Sequence, residues 1–225
     1  MIVYTQAIGV AVLILFQYIV SRLSIQKIFL LFRKTFRKER VAYPLVAFIF
    51  LPGTIIHELS HAIMAILLCL KVRDIHIFPQ RNGNQIKLGS VLYEKKDALR
   101  GFIVGIAPLL FGLLFLWLMY MLDLHHAVTY MHKMIIGYLI FVVSSTMFSS
   151  KQDLVDAVYL IPLTLFVAGS IYVFQIDLSG LGILFQVEAI QHFLYAISSY
   201  LLISLGIHLV IIAGSFVLFL FDKKI

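Results

Sequence analysis

The sequence predicts an all-α polytopic membrane protein of about six transmembrane helices, with one small β-hairpin at the membrane surface. Three observations lead there. Hydrophobic residues make up 62% of the 225 residues, charged residues only 13%, and the mean hydropathy is +1.02, far outside the range of water-soluble domains. Apolar runs long enough to cross a bilayer, about 17 to 25 residues each, fall at roughly 2–20, 41–70, 101–121, 134–150, 157–175 and 193–221, and they leave no room for a soluble domain of any size. The stretch 71–100 differs from all of these, because its apolar and polar residues alternate with period two.

The first run has no basic leader and no clear small-residue cleavage site before Arg22, so it reads as a retained span. A basic connection follows, with Arg22, Lys27, Arg33, Lys34, Arg37, Lys38 and Arg40. In the second run, Pro44 and the Pro52-Gly53 pair are expected to separate a short piece from a helix spanning Thr54 to about Leu70. In 71–100, "VRDIHIF" and "QIKLGSVLY" flank "RNGN", whose Asn82-Gly83 is a tight-hairpin signal. The loops 122–133 and 176–192 are poor in lysine and arginine, whereas 71–100, Lys151, Lys223 and Lys224 lie at alternate ends of the later spans. That alternation places 71–100, the Lys151 turn and the C-terminus in the cytoplasm of a cell-membrane protein and leaves the N-terminal span unassigned. The chain divides into an N-terminal span with its basic connection (1–40), a core (41–156) and C-terminal spans (157–225).

The net charge of +7 sits at span ends, where it acts as a topology signal and a contact for anionic lipid; it does not point to nucleic acid. Cys69 is the only cysteine, which excludes an internal disulfide and a thiolate metal cluster.

Within the second run, "TIIHELSHAI" (54–63) sets two histidines and a glutamate in an otherwise apolar helix. Such a set is costly in a bilayer unless something satisfies it, and intramembrane ionisable groups mark function by default. His57 and His61 are spaced i, i+4, so both imidazoles leave one helix face and can reach one metal ion. Glu58 is turned about 100° from His57 around the axis, poorly placed to join the chelate but near enough to touch a water on the metal. This is the HExxH arrangement of zinc hydrolases, with histidines as ligands and glutamate as general base. Random placement of these residue types would produce it in roughly one chain of this composition in two hundred.

A catalytic zinc site needs a third protein ligand. Glu94 and His76 fall on the hairpin segment, Glu188 lies in the opposite loop, and Asp153 and Asp156 follow the fourth span. His61 lies about nine residues before the cytoplasmic end of its helix, or about 14 Å inside it. The fourth span also ends cytoplasmically, so both aspartates are on the correct side and Glu188 is not.

HELSH on an early span with an aspartate after a later one resembles the site-2 protease family of intramembrane zinc metalloproteases. "STMFSSKQD" (Ser145 to Asp153) resembles that family's N-x-x-P-x-x-x-L-D-G motif, with Ser145 at the asparagine, Ser149 at the proline and Gln152 before the aspartate. The third span keeps Pro108 and has Phe111 where relatives carry asparagine. The resemblance covers about 41–156. It implies one catalytic zinc ion held by His57, His61 and Asp153, Glu58 as general base, and a membrane protein or transmembrane peptide as substrate. Asp156, the alternative ligand, suits the start of the next helix, where an acidic residue favours the dipole. Two rivals remain at this stage: another membrane metallohydrolase with a glutamate ligand, and a non-catalytic protein that binds metal or a partner helix.

Overall fold

The computed structural model describes residues 2–76, 80–82, 85–87, 89–122, 129–148, 153, 166, 169–170, 173–175 and 188–222. The described elements are, in chain order, α1 (Ile2–Phe36), α2 (Glu39–Leu67), β1 (Val72–His76), β2 (Gln80–Asn82), β3 (Gln85–Lys87), β4 (Ser90–Tyr93), α3 (Ala98–Met121), α4 (Tyr130–Thr146) and α5 (Glu188–Asp222). Helices α1, α2, α3 and α5 are long and apolar enough to cross a membrane. The α4 helix, with 17 residues, packs among them. The fold is therefore all-α and polytopic, with a small antiparallel sheet. Large apolar side chains such as Phe48, Leu110, Val210 and Phe216 are exposed, as lipid-facing residues are.

Two expectations about the first half are corrected. The basic stretch expected to connect the first two spans is mostly helical, because α1 runs on to Phe36. No proline or glycine interrupts Arg22–Phe36, lysine and arginine are good helix formers, and Arg33 and Lys34 in the last turn suit the C-terminal dipole. Arg37, in the left-handed conformation (φ 54°), then turns the chain into α2. The second correction is that α2 is one continuous helix in spite of Pro44 and Pro52. Pro52 takes one N–H out of the ladder, and nearby groups bond to the carbonyls beside the gap: Thr54 Oγ1 donates to Phe50 O (3.1 Å) and Tyr138 Oη to Ile49 O (2.6 Å). With α2 unbroken, Arg40 in its first turn and Lys71 just past its last turn lie at opposite ends of a helix about 43 Å long.

The hairpin forms as expected, as two nested antiparallel ladders. Val72 to His76 pair with Tyr93 to Ser90, and Gln80 to Asn82 pair with Lys87 to Gln85. Positions 83–84, between the inner strands, lie outside the described residues, as do His125, His126, Asp156 and most of the expected 157–175 span. His132, expected in a loop, sits in the first turn of α4.

Three helices converge on the HELSH turns. The α4 helix runs parallel to α2, with contacts advancing together from Tyr138 on Ile49 to Phe141 on Phe50, Val142 beside Gly53, and Thr146 at His57. The α3 helix runs antiparallel, with Val104 at His61 and Arg100 at Leu68. Cations close the end of α2: Lys96 Nζ donates to Cys69 O (3.1 Å) and Arg100 Nη1 to Leu68 O (3.2 Å). Asp97 caps α3 by accepting from Arg100 N (2.8 Å).

Candidate metal centre

His57 and His61 lie with ring centroids 4.9 Å apart, nearly perpendicular (80°). Each ring is oriented through its Nδ1 by a backbone carbonyl from a different helix. Thr146 O is 2.7 Å from His57 Nδ1, and Val104 O is 2.8 Å from His61 Nδ1. A carbonyl only accepts, so both Nδ1 atoms carry the proton and both Nε2 atoms present lone pairs. Both acceptors are free for a local reason. Thr146 is the last residue of α4, where carbonyls have no helical partner, and the donor that would meet Val104 O in α3 is missing because position 108 is proline.

The two Nε2 atoms face Asp153. His61 Nε2 is 3.7 Å from Asp153 Oδ1 and His57 Nε2 is 4.0 Å from Oδ2. Candidate ligand atoms of the three residues all lie within 4.8 Å of one another, the one such group of three or more histidine, cysteine or acidic residues among the described residues. His61 Nε2 is buried with no hydrogen-bond partner. Two lone pairs converging on a carboxylate, beyond hydrogen-bond distance, form a purely electron-donating set, and such a set is satisfied by a cation. Neutral histidine nitrogens and a carboxylate oxygen are suitable zinc ligands, so the residues present fit that ion.

Glycines allow these groups to approach. A β-carbon on Gly105 of α3 would overlap the carbonyl oxygen of Asp153, so the aspartate backbone rests directly on that helix. A β-carbon on Gly53 would strike Thr146 Oγ1 and lie 2.8 Å from Val142 O, so Gly53 is where α2 and α4 close up beside His57. Glu58 is buried, and Gly89, just before β4, lies over it: a β-carbon there would sit 2.5 Å from Glu58 Cγ and 2.7 Å from its Oε1.

The four expected site residues thus occupy one region. Asp156 lies outside the described residues, and the other candidates do not join them. Glu188, at the start of α5, has a side chain 89% exposed, 3.7 Å from His192. His76 pairs with Asp74 (2.9 Å) and Glu94 with Arg73 (2.7 Å), both on the sheet. Sequence reasoning missed Thr146 and Val104, which act through their backbones, and the glycines at 53, 89 and 105. Pro108 was the available sign for Val104, since a proline in a helix frees the carbonyl four residues earlier.

No curated protein and no solved structure matches the chain. The family described as peptidase M50B-like, a site-2 protease family, matches residues 28–213. That match spans the HELSH helix, the hairpin, Asp153 and most of α5, and by it the chain belongs to the peptidase M50B-like family.

Proposed function

We propose that the protein is an active zinc-dependent endopeptidase that hydrolyses a peptide bond in or beside a membrane-spanning segment. The observation that carries this reading is the convergence of the His57 and His61 Nε2 lone pairs on the Asp153 carboxylate, with buried Glu58 on the same helix. His57, His61 and Asp153 hold the ion. Zinc, when bound, supplies a Lewis acid that polarises the scissile carbonyl and stabilises the charge developing on it. Glu58 takes a proton from the attacking water on a carboxylate oxygen and returns it to the departing amine.

A helical substrate hides its peptide bonds in its own hydrogen-bond ladder, so it must be held extended before attack. Gly89 touches Glu58 and leads directly into β4. A peptide added as a strand beside the hairpin runs past the general base with its main chain hydrogen-bonded. The family match and the placement of this sheet both support a membrane-protein substrate.

The test is metal analysis of the purified protein in detergent, followed by cleavage of transmembrane peptides in proteoliposomes. Wild type should hold one zinc, Asp153→Ala should lose it, and Glu58→Gln should keep it without cleaving. Full zinc occupancy in Asp153→Ala would reject the ligand set. Zinc retention with no cleavage of any membrane peptide would favour a non-catalytic metal-binding protein.

A further inference from the structure

A buried polar cluster joins α1, α4 and α5 just beyond the candidate metal centre. Gln17 of α1 is fully buried. Its Nε2 donates to Ser204 Oγ of α5 (2.7 Å) and to Ser144 Oγ of α4 (3.1 Å), and the two serine oxygens lie 2.5 Å apart. One turn along α5, fully buried His208 has its Nε2 3.1 Å from Ser145 Oγ, and its ring lies 4.7 Å from that of Phe141. The donors in these contacts can be assigned, while Gln17 Oε1 and His208 Nδ1 are buried with no hydrogen-bond partner. Ser144 and Ser145 each donate to a carbonyl of their own helix, at Ile140 and Phe141, so Ser204 and His208 must donate to them. Both serines are thereby clamped from outside their helix, and the next residue is Thr146, whose carbonyl orients His57.

We infer that Gln17 is a positioning residue for His57: through Ser204 and Ser144 it fixes the rotation and height of the last turn of α4, and with them the Thr146 carbonyl to which His57 donates. This inference rests on the zinc reading above. Two features argue against simple helix glue. Polar bonds between membrane helices add little to stability, because the same groups find other partners when the helices separate, so their main effect is on register. The residues clamped are also the two immediately before the histidine's acceptor, in the last turn of the 17-residue α4 helix. Gln17 lies before residue 28, where the family match begins, so this member of the clamp is outside what the family match covers.

The experiment compares zinc affinity, measured by chelator competition on the full-length protein in detergent, across four proteins: wild type, Gln17→Leu, Ser204→Ala and Leu116→Ala. Leu116 is fully buried in the core, and its truncation is the control for general loosening. Removing groups that orient metal-ligating histidines costs about 10- to 100-fold in affinity. Acting one step further out, Gln17→Leu should weaken zinc about 10-fold and Ser204→Ala by a smaller factor. Leu116→Ala should bind zinc as wild type does, although it melts at a lower temperature. Ser204→Ala, the milder change, carries the test if Gln17→Leu does not fold. Unchanged zinc affinity in the folded clamp variants, or an equal loss in Leu116→Ala, would overturn the positioning role and leave the zinc reading intact. A wild-type protein that binds no zinc would overturn both.

Discussion

His61 Nδ1 lies 2.8 Å from the carbonyl oxygen of Val104, an acceptor left undivided because Pro108 gives α3 no N–H to claim that oxygen. A residue that weakens its own helix therefore orients a candidate ligand on another. Pro108→Ala should restore the helical hydrogen bond and stabilise α3, by up to about 3 kcal/mol. It should also weaken zinc binding about 10-fold, since His61 must then share its acceptor. Thermal unfolding and chelator competition on the same preparation check both halves. A variant that is more stable and binds zinc as tightly as wild type would show that the Val104 carbonyl does not matter to the ligand.

The contact of Gly105 with the Asp153 carbonyl leads to a second prediction. A β-carbon at position 105 overlaps backbone, which cannot rotate away as a flexible side chain can, so the aspartate itself must move. Gly105→Ala should lower the zinc content of the purified protein and weaken its affinity at least 10-fold, roughly the cost of disturbing a ligand's support. The overpacking should cost about 1–3 kcal/mol of stability. Gly137 is a useful comparison, because a β-carbon there meets nothing within 4 Å. Gly137→Ala should leave zinc binding unchanged.

Much of this site was legible in the sequence, and the remainder was hidden for definable reasons. His57, Glu58 and His61 are readable because the i, i+4 spacing fixes which side chains share a face, and because an apolar span makes each charge conspicuous. Asp153 was readable from depth and from its likeness to a family motif. The Val104 and Thr146 carbonyls left no side-chain trace, since every residue has such a group; only Pro108 and the end of α4 show that these two lack helical partners. Gly53, Gly89 and Gly105 are each needed because of a neighbour distant in sequence, which local pattern cannot supply. The expected break at Pro52 failed for the opposite reason. Local sequence signalled a helix end, but the Thr54 hydroxyl of the same helix and the Tyr138 hydroxyl of α4 serve the carbonyls beside the proline.

Glu58 and Gly89 allow the general base to be tested separately from the ligands. Glu58→Gln keeps the shape of the side chain and removes its ability to take a proton, so cleavage should fall by about 10²- to 10⁴-fold with zinc content unchanged. Gly89→Val acts from the other side, placing a branched carbon against Glu58 Cγ. It should lower kcat by displacing the carboxylate, again with zinc retained. Parallel measurements of zinc content and peptide cleavage distinguish these variants from Asp153→Ala, which should lose both. Loss of zinc from Glu58→Gln would mean that the glutamate is a ligand and that its assigned role is wrong.

Metal removal should register in stability as well as activity. Without a cation, the His57 and His61 lone pairs face the Asp153 carboxylate with no donor among the three, an arrangement that favours separation of α2 from the segment carrying Asp153. A bound ion stabilises the folded state by mass action, by about 2.7 kcal/mol when free zinc is at 100 times its Kd. A strong chelator should therefore lower the unfolding temperature of wild type, and added zinc should restore it. In Asp153→Ala, with the three-ligand set broken, the unfolding temperature should hardly respond to either addition. Equal responses in wild type and Asp153→Ala would place the stabilising ion elsewhere and separate Asp153 from the metal.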